Sequence, residues 1–116
     1  MGTSHNKAHT ALVKAALEYL YLRGAVCSGN NTGMLYNAQG RPVRYGCVGS
    51  ADIIGVLPGG RFFGAEAKTG RGVLTDNQKN WHDAINEVGG IAITFRKLED
   101  LNVLFTKEVA RETTGS

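Results

Sequence analysis

The sequence predicts one α/β layer domain, a mixed central sheet flanked by helices, and three observations carry that prediction. The first is the order of the periodic segments: one with helical spacing, several extended apolar runs, a second helical segment, one more strand and a last helix. The second is a pair of adjacent apolar runs, Ile53-Ile54-Gly55-Val56-Leu57 and Phe62-Phe63-Gly64-Ala65, separated by Pro58-Gly59-Gly60. Both are apolar at every position, as strands at the centre of a sheet covered on two sides are. The third is Thr75-x-x-Gln78, the signature of a helix N-terminus, followed by apolar residues at helical spacing and closed by Gly89-Gly90. At 116 residues the chain suits a single domain over 1–116, with a core over about 10–106 and polar termini.

Taken in order, residues 1–8 carry no periodic signal and are expected to be disordered. A helix is predicted over 10–23, where Leu12, Ala16, Tyr19, Leu20 and Arg23 follow one face, Lys14, Glu18 and Tyr21 follow the other, and Gly24 stops it. His5 and His9 are four apart, the spacing of two ligands on one helix face. With no acidic residue between them, an unstructured or surface role is expected. Residues 25–28 read as a short strand, and Gly29-Asn30-Asn31-Thr32-Gly33 reads as a turn. The stretch 34–39 has no clear pattern, and 40–46 reads as an extended segment that brings Arg41 and Arg44 close together. After the two central strands, Thr69-Gly70-Arg71-Gly72 is expected to be a flexible basic loop. Thr75 then caps a helix running to about Val88, on which Gln78, Trp81, Ile85 and Val88 share the inner face. Ile91-Ala92-Ile93-Thr94-Phe95 is the last strand. A short helix over 98–106 packs Leu101, Leu104 and Phe105 inward, and the polar tail from Lys107 frays.

Charge is concentrated where the central strands end. Asp52 begins the first, and Glu66-Ala67-Lys68 ends the second, so Glu66 and Lys68 project from one face while Ala67 points to the other. Whether Asp52 joins them depends on the turn. A type I turn with Pro58 at its second position and Gly60 in the left-handed region makes a three-residue loop, which pairs Leu57 with Arg61 and therefore Asp52 with Glu66. A two-residue Gly59-Gly60 turn would pair Ile53 with Glu66 and put Asp52 on the wrong side. The three-residue loop is the reading adopted. In the plain alternative Asp52 only starts a strand and Glu66 pairs with Lys68 on an exposed face. Charges in so apolar a setting are seldom left without a partner or a metal, which favours a functional cluster.

This pattern resembles the PD-(D/E)xK nucleases, in which an Asp is followed, after a hairpin, by Glu-x-Lys. The wider context, VRYG at 43–46, GSADIIGVLPGG and RFFGAEAKTGRGVLTDNQKNW, is similar to the virus-type replication and repair nuclease branch of that superfamily, the VRR-NUC family, over about residues 10–100. The resemblance implies a restriction-endonuclease-like core and hydrolysis of DNA phosphodiesters. It implies a Mg²⁺ or Mn²⁺ cofactor held by Asp52, Glu66 and the backbone carbonyl of Ala67, with Lys68 and Gln78 completing the catalytic set. The capping box alone also explains Gln78, and the two roles are compatible. In many of these nucleases an acid on the first helix lies near the metal; here His9 stands where that acid is expected, and Glu18 is kept as an accessory candidate.

A net charge of +3, with a pI near 9.0, permits nucleic-acid binding. Asn31, Thr32, Arg41, Arg44, Arg71 and Lys79 are the candidate DNA contacts, the arginines because a guanidinium fork can donate two bonds to one phosphate. No sequence-reading module is evident, so backbone and shape recognition are expected. By analogy with stand-alone members of the family, the expected substrate is branched DNA such as a four-way (Holliday) junction, cut by a homodimer in a DNA-repair role. A flap, end or loosely selective nuclease would use the same residues. A non-catalytic DNA-binding module is the reading from another class, and the intact Asp52, Glu66 and Lys68 speak against it. The first ten residues have no apolar core, and no run approaches the ~20 apolar residues of a membrane helix, so an intracellular protein without membrane contact is expected. Cys27 and Cys47 lack metal-type spacing and are expected as free thiols.

Overall fold

The structure, a computed structural model, describes residues 2–31 and 33–106. Four strands, β1 (Val26–Gly29), β4 (Ile53–Val56), β5 (Phe62–Ala67) and β6 (Ile91–Phe95), form one sheet in the order β1-β4-β5-β6. β4 runs antiparallel to its neighbours β1 and β5, and β6 lies parallel to β5, so the sheet is mixed as expected. The parallel pair is joined through helix α2 (Asp76–Glu87), the usual way to return a chain to the same end of a sheet. Helix α1 (Gly2–Leu22) packs against β1 and β5.

The core is assembled from the faces the sequence marks as apolar. Ala16 and Leu20 of α1, Ile53, Phe63, Ala65, Ile91 and Phe95 of the sheet, and Leu101 and Leu104 beyond it are fully or almost fully buried. A 3₁₀ turn, Leu98–Leu101, leads into helical backbone through residue 106, within the span predicted for one short helix. It is fastened to α1 by Tyr19, whose hydroxyl donates to Asn102 Oδ1, and by Arg23. The Arg23 guanidinium donates to the same oxygen at 2.9 Å and lies 4.0 Å from the centre of the Phe105 ring.

The hairpin register is the one the three-residue loop requires. Ile53 lies opposite Ala65 and Val56 opposite Phe62, and continuing the count places Asp52 opposite Glu66 and Leu57 opposite Arg61. Leu57 N donates to Arg61 O at 2.9 Å, closing the loop. The turn type differs from expectation. Gly59 has φ +103° and Gly60 φ +98°, whereas a type I turn holds its third residue near −90°. A positive φ directly after proline is the type II arrangement, and glycine at both positions makes it accessible.

Three further expectations are corrected. Helix α1 starts at Gly2, so residues 2–8 are helical and not disordered; a helix propagates past its packed stripe wherever no breaker interrupts it. The unpatterned stretch 34–39 holds a strand, β2 (Gly33–Tyr36), which pairs with β3 (Pro42–Tyr45), inside the segment read as extended, to form a separate two-stranded sheet. Its turn is organised by Asn37, whose Oδ1 accepts from the backbone N of Gln39 at 2.9 Å and of Arg41 at 3.0 Å. Val88, predicted on the inner face of α2, is the C-cap residue and 82% exposed, because the helix stops one residue before it. The tail from Lys107 lies outside the described residues.

Candidate active site

Asp52 and Glu66 meet across β4 and β5, and each holds the other's backbone in place. Glu66 Oε1 accepts from Asp52 N at 3.2 Å, and Asp52 Oδ2 accepts from Ala67 N at 2.9 Å. The segment entering Asp52 is fixed by Asn30, which donates from Nδ2 to Ser50 Oγ at 2.7 Å and to Ala51 O at 2.9 Å. Asn30 N also donates to Asp52 O at 2.7 Å. The turn read from the sequence at 29–33 therefore spends Asn30 inside the protein.

Glu66 is 4% exposed. Its Oε2 accepts from Gln78 Nε2 at 3.0 Å and lies 3.6 Å from Lys68 Nζ. Burial, and then the Asp52 carboxylate beside it, push the Glu66 carboxyl up from an ordinary 4.5 to about 7, against the opposing pull of Lys68. Two carboxylates here stand beside one ammonium, that of Lys68.

Gln78 reaches this position because Thr75 starts α2 beside the sheet. Thr75 Oγ1 accepts from Gln78 N at 3.2 Å, and Gln78 Oε1 accepts from Thr75 N at 2.9 Å, completing the capping box. Two glycines set how closely α2 approaches. A Cβ on Gly49, whose φ is +85°, would lie 2.4 Å from Asn77 O, and one on Gly64 would lie 2.6 Å from the Trp81 ring. Buried His82 anchors the other flank of the helix, its ring nitrogens 2.9 Å from Gln78 O and 3.2 Å from Ile93 O.

His9 is the site residue that the sequence reading passed over. Its Nε2 lies 3.1 Å from Asp52 Oδ2, so the expectation of an unstructured or surface residue is corrected. The signal was present: His9 lies three residues before Leu12 and four before Val13, on the same helix face as Ala16 and Leu20. What the sequence does not show is where that face meets the sheet.

Asp52, Glu66, Ala67, Lys68 and Gln78 are therefore brought together, and Asn31 borders the same region. Glu18 is not: it is exposed and lines a shallow hollow with Tyr21 and Leu22. Arg41 is exposed beside the turn of the separate hairpin, and Lys79 is exposed on the first turn of α2. Arg71 is exposed in the loop after β5, which is less free than the sequence suggests. Arg96 donates to Gly70 O at 3.2 Å and to Gly72 O at 2.5 Å, holding the loop from beneath. Thr32 and the side chain of Arg44 lie outside the described residues. Arg61, which closes the hairpin loop, donates from Nε to Gly89 O at 2.8 Å and ties the β4–β5 turn to the end of α2.

The donor set fits a hard divalent cation. Two adjacent carboxylates lack a full counter-charge, and a backbone carbonyl is available at Ala67. Among the described residues no three His, Cys, Asp or Glu side chains form a ready-made metal cage. An ion here would rest on Asp52, Glu66 and Ala67 with water completing its shell, the manner in which Mg²⁺ is usually held.

No family model and no curated protein matches the sequence. A solved structure described as "VRR_NUC domain" matches the fold with a TM-score of 0.60 at 18% identity, over 85% of this chain and 95% of that one. The fold is that of a VRR_NUC domain. Both cysteines are free, and no described helix is long and apolar enough to cross a membrane.

Proposed function

We propose that this protein is a divalent-metal-dependent nuclease that hydrolyses phosphodiester bonds in branched DNA, four-way junctions among them, and that it acts as a homodimer. The observation that carries the reading is the convergence of Asp52, Glu66, Lys68 and Gln78 on one point, with the Glu66 carboxyl pushed up to about 7 by burial and by the Asp52 carboxylate beside it. The VRR_NUC fold supports it.

Asp52 and Glu66, with the Ala67 carbonyl, would hold Mg²⁺ or Mn²⁺. When bound, the ion supplies a lowered water pKa and positive charge against the phosphoryl group. Lys68 Nζ, beside Glu66, orients the attacking water and stabilises negative charge on the phosphoryl oxygens. Gln78 fixes the Glu66 carboxylate, and His9 does the same for Asp52 from the other side. Asn31, Thr32, Arg41, Arg44, Arg71 and Lys79 would take the phosphate backbone without reading sequence. A junction presents two symmetry-related strands, and a two-fold dimer would set one active site against each.

The test is cleavage of matched duplex, flap and four-way junction DNA with Mg²⁺, together with sedimentation of the protein with and without the junction. Metal-dependent cutting that is fastest on the junction, by a dimer, is expected, and Asp52→Asn should abolish it. A monomer that cuts flaps or ends better than junctions would move the assignment to a flap or end nuclease. DNA binding with no cleavage under any divalent ion would leave a non-catalytic binding module.

A further inference from the structure

Helix α1 and the end of β1 do not close against each other. Between them lies a cleft of about 350 Å³ that runs up to Asp52. Val13 and Leu17 of α1 give it an apolar wall, half-buried because the same side chains pack against the core. Lys14 stands exposed at its rim and Asn31 faces it from the loop after β1. Asn31, unlike Asn30, has no hydrogen-bond partner among the described residues. Opposite the apolar wall is Gly29, where an added Cβ would meet nothing within 4 Å, so the space is open on the strand side as well.

We propose that this cleft is a subsite for one unstacked nucleotide of the DNA strand being cut, the nucleotide next to the scissile phosphate; this rests on the nuclease reading above. The chemistry of the walls matches that ligand piece by piece. A nucleobase has an apolar face, suited to Val13 and Leu17, and a polar edge, suited to the free carboxamide of Asn31. The strand's next phosphate has Lys14 within the same rim. The volume is that of a small-molecule pocket and does not admit a stacked base pair. Continuity with Asp52 sets the position: a base seated here leaves its own phosphate at the carboxylates.

The subsite makes structure selectivity a property of the single active site, independent of how two copies assemble. A paired nucleotide must leave its stack to enter, and one already unpaired at a branch or frayed end does not bear the cost of unstacking. Substrates with an unpaired nucleotide beside the scissile phosphate are therefore selected over matched duplex.

Gly29→Leu is the discriminating variant, because it fills the cleft from an open position whose backbone strains no side chain. Lys14→Glu tests the opposite wall from an exposed site. Circular dichroism checks that both variants fold. The first measurement is the fluorescence of 2-aminopurine placed unpaired at the branch of a flap or junction, or paired at the same position of matched duplex, with the protein bound in Ca²⁺. The wild-type protein is expected to change the emission of the unpaired base only, and Gly29→Leu to lose that response. The second is the ratio of cleavage rates on the unpaired and matched substrates, expected to be about tenfold or more for the wild type and to fall to about twofold in both variants. A ratio preserved in both variants, or an emission change that survives Gly29→Leu, overturns the subsite. If the wild type cuts nothing, the nuclease reading fails, and the fluorescence measurement still decides the cleft: a response lost in Gly29→Leu supports it, and no response overturns it.

Discussion

Gln78 divides its carboxamide between two tasks, with Nε2 donating to Glu66 Oε2 at 3.0 Å while Oε1 accepts from the backbone of Thr75 at 2.9 Å. One side chain thus ends a helix and fixes a buried carboxylate. Substitutions can separate the two. Gln78→Glu keeps an acceptor for Thr75 N but replaces the donor facing Glu66 with a like charge. It is expected to retain α2 and near-native stability and to slow cleavage by about 100-fold. Thr75→Ala is expected to lower stability by about 1 kcal/mol with a much smaller effect on rate. Thermal melts beside single-turnover rates decide it, and equal rate losses in the two variants would show that Gln78 serves the helix alone.

The Glu66 carboxyl also makes stability depend on pH. Its folded pKa, about 7, lies above the ordinary 4.5, so between those values the folded protein binds more protons than the unfolded chain. The stabilisation is complete below about 4.5 and is lost as pH rises through 7. Without divalent ions, the melting temperature is expected to fall across that window more steeply than in Glu66→Gln. Added Mg²⁺ should flatten the fall. A wild-type slope equal to that of Glu66→Gln would remove Glu66 as its cause.

In the proposed reaction Lys68 would carry charge to the phosphate without serving as a metal ligand. Lys68→Ala is expected to bind Mn²⁺ with near-native affinity by calorimetry while cleavage slows by about 100-fold or more. Loss of metal binding with the single-turnover rate intact at saturating metal would reassign it. Arg71→Ala, by contrast, should weaken DNA binding equally on two unrelated sequences of one branched shape. A salt titration should show a slope smaller by about one phosphate contact.

Gly64 is set by packing. A methyl group there would stand 2.6 Å from the Trp81 ring, which itself lies edge-on to Phe62 at 6.4 Å. Gly64→Ala is expected to cost about 1–3 kcal/mol as α2 is pushed from the sheet. Because Gln78 rides on that helix, the rate should fall with it. Trp81 fluorescence reports the displacement directly, and an unchanged emission with unchanged stability would count against the close approach.

How much of this was legible in the sequence depended on whether local chemistry alone set the geometry. The Asp52–Glu66 pairing was readable because a short turn determines which residues face each other. Gln78 was readable because a capping box places its third residue at the helix start. His9 and Asn30 were not, since their partners, Asp52 and the 50–51 segment, lie far along the chain and only tertiary packing brings them near. The β2–β3 hairpin was missed for a different reason. Leu35, Tyr36 and Val43 are all exposed, so the described side chains of the hairpin show no buried face to impose alternation, and its local signal, the Asn37 turn, was not read.

The Pro58-Gly59-Gly60 turn stands at the far end of the hairpin from the carboxylates, yet its length decides whether they meet. Surface connections ordinarily accept insertions and deletions. Here a slip of one residue, onto a turn of Gly59-Gly60 alone, would bring Glu66 opposite Ile53 and turn it away from Asp52, with every side chain of the candidate site still present. Among descendants of this chain, Gly59 and Gly60 are therefore held by a requirement that arises at the other end of the hairpin: a side chain at either strains the positive φ that keeps Leu57 closed on Arg61, and with it the register of the two carboxylates.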